Sequence, residues 1–461
     1  SRGIKVFRLP AVMLPAPKSR DRRTLLVEGM SAARLIGQLF GSAKPGDVVE
    51  VRGWIYRTRS SGAIVFAVLR DQSGIVQVTV KKGNVPDADL DAAKAALIES
   101  SVIVTGTVAE DKRAPGGLEV RATAFKVVGS SMPFPITEYQ SEELLLDNRH
   151  LWIRSREQNA VMKVKASIIE GAREWLKNNE FTEVTPPILT QNACEGGVTL
   201  FKLKYFDREA YLSQSAQMYL EALIFSLGRV YSLTPSFRAE KSRTTRHLTE
   251  YWHLELEEAW VDNDGNMEIQ EQLVSAMVEK ALADRREELK LLGRDPDELK
   301  EVRPPFKRVR YSQAIESLRA QGFDLSFGSD MGAPEERAFT LNEKVPVFVT
   351  NFPKEIKAFY MKEDPSDPAT VKCADLLAPE GYGEIIGGSE RETDLKTIVA
   401  KLEAQCVPLS SYEWYLDLRR FGSVPHSGFG LGIERVVRWV CKLEHIRDAV
   451  PFPRTVARAY P

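Results

Sequence analysis

Residues 231–260 read YSLTPSFRAEKSRTTRHLTEYWHLELEEAW. Two runs in this stretch alternate apolar and polar side chains with the period of a half-buried strand. In the first, Phe237 and Ala239 point one way and Ser236, Arg238 and Glu240 the other. In the second, Trp252, Leu254 and Leu256 oppose His253, Glu255 and Glu257. The loop between them carries Lys241, Arg243, Arg246 and His247. The pattern predicts an antiparallel hairpin with Arg and Glu on its working face and a basic tip. Two readings fit: a face for a ligand that carries both phosphate and amine groups, or a solvated edge whose cations guard against strand-to-strand aggregation.

The surrounding chain sets the class of the fold. From about residue 150, strands follow strands with helices at the flanks, which predicts an antiparallel α+β domain rather than βαβ alternation. REQNAVMKVKASIIEGAREWLKNNEF has helical spacing, with Val161, Val164, Ile168, Ile169, Ala172 and Leu176 on one stripe. FTEVTPPILT follows, a strand interrupted by two prolines, and proline confines a strand to an edge, a bulge or an interface. Residues 263–303 read as a charged helical segment and insert. GEIIGGSERE ends a strand in paired glycines, and HSGFGLGIERVVRWVCKL joins a glycine-punctuated strand directly to a helix. No phosphate-binding P-loop and no G-x-G-x-x-G before a helix occurs.

The first third differs. Residues 1–24 carry seven basic residues against one acid, and three prolines. Residues 1–46 therefore read as a basic arm and lead-in, a solvated tail or a segment that lies along a polyanion. Residues 47–130 hold five β-branched runs separated by Gly, Ser and Asp, with a helical insert at 89–99. That fits a Greek-key barrel of the OB type. Residues 50–82 hold six basic residues against two acids, interleaved with Trp54, Tyr56 and Phe66. Such barrels stack bases on aromatics beside a basic groove. Phe66, Arg52 and Gln77 are the candidates for that contact, whereas Trp54 is expected in the core. Residues 131–149 read as a hinge before a domain at 150–461.

Composition constrains the rest. The 461 residues carry 63 Lys+Arg against 64 Asp+Glu, a formal net charge of −1. A polyanionic partner must therefore be met by local patches. Cys194, Cys373, Cys406 and Cys441 form no C-x-x-C pair, which argues against a structural zinc site or a disulfide framework and fits a reducing compartment. No stretch approaches the roughly 18 apolar residues that span a bilayer, and residues 1–30 hold no sustained apolar run. The expected setting is cytoplasmic, with no membrane partner.

Three segments then fall into a known order. FTEVTPPILT, SFRAE with its loop RHLTE, and GFGLGIER resemble the three motifs of the class II aminoacyl-tRNA synthetases, and the barrel in front resembles the anticodon-binding domain of the aspartate, asparagine and lysine subgroup. The resemblance covers residues 47–461. It implies a ligase that uses ATP and Mg²⁺ to form an aminoacyl adenylate and then charges tRNA. The chemistry agrees, because charge that builds on the α-phosphate calls for a fixed cation. By this similarity, Arg238, Arg435 and Glu384 are the catalytic residues. ATP is met by Arg238, Glu240, Arg246, His247, Leu248, Glu384, Gly432, Ile433, Glu434 and Arg435. The glycines at 428, 430 and 432 leave room for a flat ring. Glu384 is the metal ligand, and Gly387 stands where related enzymes often carry Ser. Pro187 marks the subunit interface of a homodimer.

The choice of amino acid rests on charge. Aspartyl members follow a Gln-Ser-Pro-Gln stretch with a Lys that meets the substrate carboxylate. Here the stretch is Gln214-Ser215-Ala216-Gln217, and the Lys position is Leu220. Arg391 matches the arginine aimed at the substrate side chain, and Glu240 is the candidate acceptor for an amide NH₂, repelling aspartate. Glu195 resembles the acid that binds the α-ammonium, with Gln214 and Gln217 lining the pocket. NFPKEIKAFYMK and LRRFGSVPHSGFGLGIER are similar to asparaginyl members. The resemblance thus implies L-asparagine and tRNA(Asn) as substrates. An aspartyl enzyme and an asparagine synthetase-like paralogue are the alternatives, and the barrel weighs against the second.

Overall fold

The computed structural model describes residues 34–137, 140–192, 194, 199–241, 244–405 and 408–461. Most of the basic arm, and Glu195, lie outside the described residues. The chain divides into two compact units, Ser1–Glu138 and Tyr139–Pro461.

In the first unit, β1 (Val48–Ser61), β2 (Ile64–Arg70), β3 (Ile75–Lys81), β4 (Ser101–Glu110) and β5 (Leu118–Gly129) close a barrel in the order β1-β2-β3-β5-β4. Alternation drives it: Val51, Val65, Val78, Val104 and Val120 point inward with no exposed surface. The insert helix runs Asp87–Ala95, not 89–99. The end of the lead-in is no arm, because the helix Ile36–Ser42 buries Ile36 and Leu39 in the barrel core.

The second unit holds β6 (Thr182–Glu183), β7 (Leu189–Thr190), β8 (Lys202–Tyr205), β9 (Arg208–Leu212), β10 (Arg229–Phe237), β11 (Glu250–Ala259), β12 (Lys307–Arg310), β13 (Val347–Thr350), β14 (Glu363–Asp364), β15 (Asp367–Val371), β16 (Cys373–Ala378), β17 (Gly383–Glu390) and β18 (His426–Gly432). Eight of them form one sheet, β12-β13-β16-β17-β18-β11-β10-β6. All neighbours in it are antiparallel except the two outermost pairs. The predicted hairpin is β10–β11, in register from Arg229 opposite Glu258 to Phe237 opposite Glu250. The proline-bearing stretch yields only the edge strand β6 and, past Pro186 and Pro187, β7 in a separate three-stranded sheet.

One face of the large sheet is the core. Leu254 and Leu256 of β11, Phe429 and Leu431 of β18, and Ile386 of β17 pack with two long helices, Arg156–Asn178 and Asn263–Asp284. The first helix starts because Ser155 Oγ accepts from Gln158 N at 3.2 Å, and it buries Val161, Val164, Ile168, Ala172 and Leu176 of the expected stripe, with Ile169 half-buried beside them. Each Val, Ile or Leu side chain among them contributes about 1.5–3 kcal/mol on burial. With that face committed to the core, the residues one position along each strand must form the other face, and that face carries the site.

Candidate active site

Strand register builds the floor of the site. Asp375 of β16 pairs with Gly387 of β17, Gly387 with Gly430 of β18, and Gly430 with Glu255 of β11. These four residues form one row across four neighbouring strands, an acid at each end and glycines between. The next row places Gly428 between Ser389 and Glu257. Over the first row opens a cavity of about 590 Å³, lined among others by Arg238, Glu255, Gln217, Arg391, Asp375 and Glu384. Candidates drawn from three segments, at Gln217, at the hairpin of Arg238 and at 384–391, thus converge on one space.

One end of the site is cationic. A smaller recess is lined by Arg238, Arg246, His247, Leu248, Glu384, Gly432, Glu434 and Arg435. Arg435 Nη1 lies 3.2 Å from Glu384 Oε1 and donates to the Glu384 carbonyl at 3.1 Å. Burial opposes the charge of Glu384, but Arg435, Arg246, Lys357 and Arg238 hold its carboxyl down at about 2. Burial pulls the His247 imidazole down to about 4, helped by Arg435, Arg246 and Arg238. The side chain of Arg246 is ion-paired with Glu336. A site with several fixed cations and one ionised acid suits a polyphosphate and its metal. Ile433 does not line it; that residue is fully buried in the core. Glu434 is committed to Lys165 at 2.6 Å and to the Trp252 N–H at 3.0 Å, so it holds the hairpin to the last helix.

Two carboxylates bracket the position above Gly387. A Cβ there would stand 3.6 Å from Glu384 Oε1 and 3.7 Å from Asp375 Oδ1. Lys357 donates to Asp375 at 2.6 Å, while burial pushes the Asp375 carboxyl up to about 6 against that pull. Among the described residues no three His, Cys, Asp or Glu gather as a metal cage. Two hard carboxylates facing one space fit Mg²⁺, which keeps water and substrate oxygens in its shell. Asp375 and Lys357 were missed in the sequence. The signal for Asp375 was there: a lone acid in the apolar strand CADLLA.

The other end holds Arg391, 3% exposed. Its Nε donates to both oxygens of Glu257 at 3.1 and 3.2 Å, its Nη2 reaches the same carboxylate, and its Nη1 donates to Ser389 Oγ at 2.7 Å. Glu255 also faces this cavity; it accepts from Ala216 N at 2.7 Å and from Ser215 Oγ. Glu240 does not reach it. The ladder lasts one bond past β10, Arg238 N to the Thr249 carbonyl at 3.0 Å; then Ala239 N turns to the Thr199 carbonyl at 2.7 Å. That turn takes Glu240 off the shared face, into a cavity with Phe201, Leu212 and Phe237 and a small recess beside Arg238 and His247. Glu240 as the amide reader is therefore corrected; Glu255, on the alternation with His253 and Glu257, is the acid in place.

Gln217 lines the cavity, but Gln214 is buried outside its lining and donates to Thr199 Oγ1 at 2.7 Å. Leu220 is fully buried with Ala216, Ile224 and Val230. Gly428 makes room for protein, not for a ring: a Cβ there would stand 2.3 Å from the Glu257 carboxyl carbon, and at Gly430 it would stand 2.4 Å from His253 Nε2. Pro187 is exposed. On the barrel, Phe66 lies opposite Thr79, with Arg59 4.7 Å from its ring centre. Gln77 Nε2 donates to Glu119 at 3.3 Å, as does Thr79 Oγ1 at 2.5 Å. Arg52 is engaged by Glu50 at 2.8 Å. Trp54 is 43% exposed, contrary to expectation, because its strand position faces outward with Arg70 5.2 Å from its ring.

Comparison with known proteins agrees with this layout. Residues 141–456 match the family of class II tRNA synthetases (D, K and N), and residues 49–128 match the OB-fold nucleic acid binding domain. The asparagine–tRNA ligase of Thermococcus kodakarensis is 56% identical over 417 residues, covering 90% of this chain and 96% of the relative. That of Thermoplasma acidophilum is 48% identical over 426 residues, covering 92% and 99%. The crystal structure of asparaginyl-tRNA synthetase from Pyrococcus horikoshii complexed with asparaginyl-adenylate is 54% identical, with a TM-score of 0.88 over 90% of this chain and 97% of that one. With an eight-stranded, mainly antiparallel sheet in one unit, a closed five-stranded barrel in the other, and relatives this similar over nine-tenths of its length, the chain belongs to the class II tRNA synthetases, in the asparagine–tRNA ligase family.

Proposed function

We propose that the chain activates L-asparagine with ATP, forming asparaginyl-adenylate and pyrophosphate, and transfers the asparaginyl group to the 3′ end of tRNA(Asn). The observation that carries this reading is the polarity of the main cavity. Arg238 and Glu384 stand at one end, Arg391 and Glu255 at the other, over a glycine floor.

In the first step the α-carboxylate of asparagine attacks the α-phosphate. The nucleophile is already ionised, so the work is positioning and charge neutralisation rather than proton abstraction. Arg238 meets the charge that builds on the α-phosphate. Arg435 and Arg246 bind the outer phosphates, and His247, Leu248 and Gly432 border the nucleotide. Glu384 and Asp375 would hold Mg²⁺, which supplies charge neutralisation at the triphosphate. Arg391 donates to the side-chain carbonyl of asparagine, and Glu255 accepts from its NH₂. Aspartate would set a carboxylate oxygen against the Glu255 carboxylate, and an unpaired or repelled buried group costs about 1–3 kcal/mol or more. In the transfer step the tRNA hydroxyl attacks the acyl carbon of the adenylate, its proton passes to the adenylate's own phosphate, and AMP leaves as the acyl–phosphate bond breaks.

Phe66 and Gln77 on the outer face of the barrel form the anticodon contact, the ring by stacking and the amide, held by Glu119, by hydrogen bonding. The exposed Pro187 stretch contributes to a homodimer interface. A cytoplasmic location accords with four cysteines that form no pairing motif. No helix of the described residues is long and apolar enough to cross a membrane. The test is ATP–pyrophosphate exchange with each amino acid. Asparagine-dependent exchange is expected; exchange with aspartate and not asparagine would refute the assignment.

A further inference from the structure

Behind the wall of the amino-acid cavity lies a buried polar cluster that the adenylation chemistry does not use. Its centre is Glu221, with no exposed surface, one turn after Gln217 in the helix Gln217–Leu227. Arg419 Nη2 donates to it at 2.7 Å and Tyr415 Oη at 2.8 Å, and His426 Nε2 lies 3.0 Å away. Gln217 Nε2 donates to it at 3.0 Å. The contact with Arg419 favours the charged form, and burial is outweighed: Arg419 and His426 hold the Glu221 carboxyl well below its ordinary range.

An ionised carboxylate accepts hydrogen bonds and cannot donate one. A glutamine beside it has a single orientation open, the NH₂ group toward the acid. The carbonyl oxygen of Gln217 is then left for the cavity that this residue lines. A carboxamide held by neutral neighbours could turn either way; this one is fixed by a charge behind it.

We propose that Glu221 is a positioning residue that locks Gln217 with its carbonyl oxygen toward the bound amino acid, so that the cavity presents an acceptor to an N–H donor of the substrate and rejects an oxygen there. The inference rests on the proposed activation of asparagine. The donor is the α-ammonium or the side-chain amide, and the test separates them.

Glu221→Gln keeps the shape of the side chain but can donate as well as accept, which frees Gln217 to turn. In ATP–pyrophosphate exchange the variant is expected to raise KM for asparagine about tenfold, the scale of one misdirected buried hydrogen bond. The KM for ATP and kcat should stay within about twofold, since the group acts on binding of one substrate only. If the preference for asparagine over aspartate falls as well, the donor is the side-chain amide; if it holds, the donor is the α-ammonium. Both support the proposal. An unchanged KM for asparagine overturns it. So does the same rise when Glu221→Gln is added to Gln217→Leu, because Glu221 would then act without Gln217. If Glu221→Gln does not fold, a crystal structure of the wild type with asparagine decides. The Gln217 atom turned away from Glu221 should touch a ligand nitrogen, and contact with a ligand oxygen overturns the proposal. Wild type without asparagine-dependent exchange would overturn the proposed function and this inference together; wild-type exchange with an unaffected variant overturns the inference alone.

Discussion

Replacing Arg391 with methionine should separate what this side chain does for the fold from what it does for the substrate. In the folded chain the guanidinium is 3% exposed and gives three contacts to Glu257 and one to Ser389. Methionine fills much of the volume and donates nothing. Removing one partner of a buried pair costs about 3–5 kcal/mol, because the other charge is left uncompensated. Glu257 has a partial escape, which is to take a proton. Burial already pushes its carboxyl from an ordinary 4.5 up to about 7, against the pull of Arg391, with Glu221 adding to the push. Without Arg391 it rises further.

The sign of the pH dependence follows. A carboxyl whose folded value lies above its unfolded value binds protons more tightly in the folded state, so stability is present at low pH and lost as pH rises. In the wild type that loss runs from about 4.5 to about 7. In Arg391→Met it continues above 7, at about 1.4 kcal/mol per pH unit. The gap in urea stability between the two should be small near about pH 6 and wide at about pH 8.5. Adding Glu257→Gln removes the charge, and the gap should close. Asparagine-dependent exchange should fall about 10²–10³-fold in both the single and the double variant, the cost of losing one buried charged donor aimed at the substrate. Recovery of exchange together with stability in the double variant would refute the substrate role. An Arg391→Met protein as stable as wild type at the higher pH would refute the electrostatic account.

Arg238→Ala should lower adenylate formation about 10²–10³-fold with little change in urea stability, read as single-turnover AMP transfer, since it removes a donor at the developing charge. Asp375→Asn and Glu384→Gln should each raise the Mg²⁺ concentration needed for half-maximal exchange; an unchanged Mg²⁺ dependence in both would remove them from the metal site. Phe66→Ala should weaken tRNA binding by about 1–3 kcal/mol, the scale of one lost stacked base, seen as a higher KM for tRNA in aminoacylation and an unchanged ATP–pyrophosphate exchange. Because the imidazole of His247 sits at about 4, below its ordinary 6.5, its contribution to stability is present above 6.5 and lost as pH falls toward 4. His247→Gln should flatten that acid limb in urea unfolding.

The hairpin, the amphipathic helix and the barrel could be read from the chain because each is a local pattern, a period of two or of 3.6 residues that a single face of a core enforces. The β10–β11 pairing and the stripe from Val161 to Leu176 followed directly. What failed is what depends on register between distant segments. Asp375, Gly387, Gly430 and Glu255 become one row only because the β16–β17 hairpin, β18 and β11, far apart in sequence, align, and no window of the sequence contains that fact. Glu240 failed for the same reason in reverse. Its alternation was correct as a pattern, but a bond from Ala239 to Thr199 ends the strand before Glu240 is reached. Gly428 is the most instructive position. Its small size did signal a close approach, yet what approaches is the carboxyl group of Glu257, the residue that anchors Arg391. The glycine therefore admits the acid that holds the arginine. A glycine in a motif reports that space is needed, and only the packing around it tells whether the space belongs to the ligand or to the side chains that position the ligand's partners.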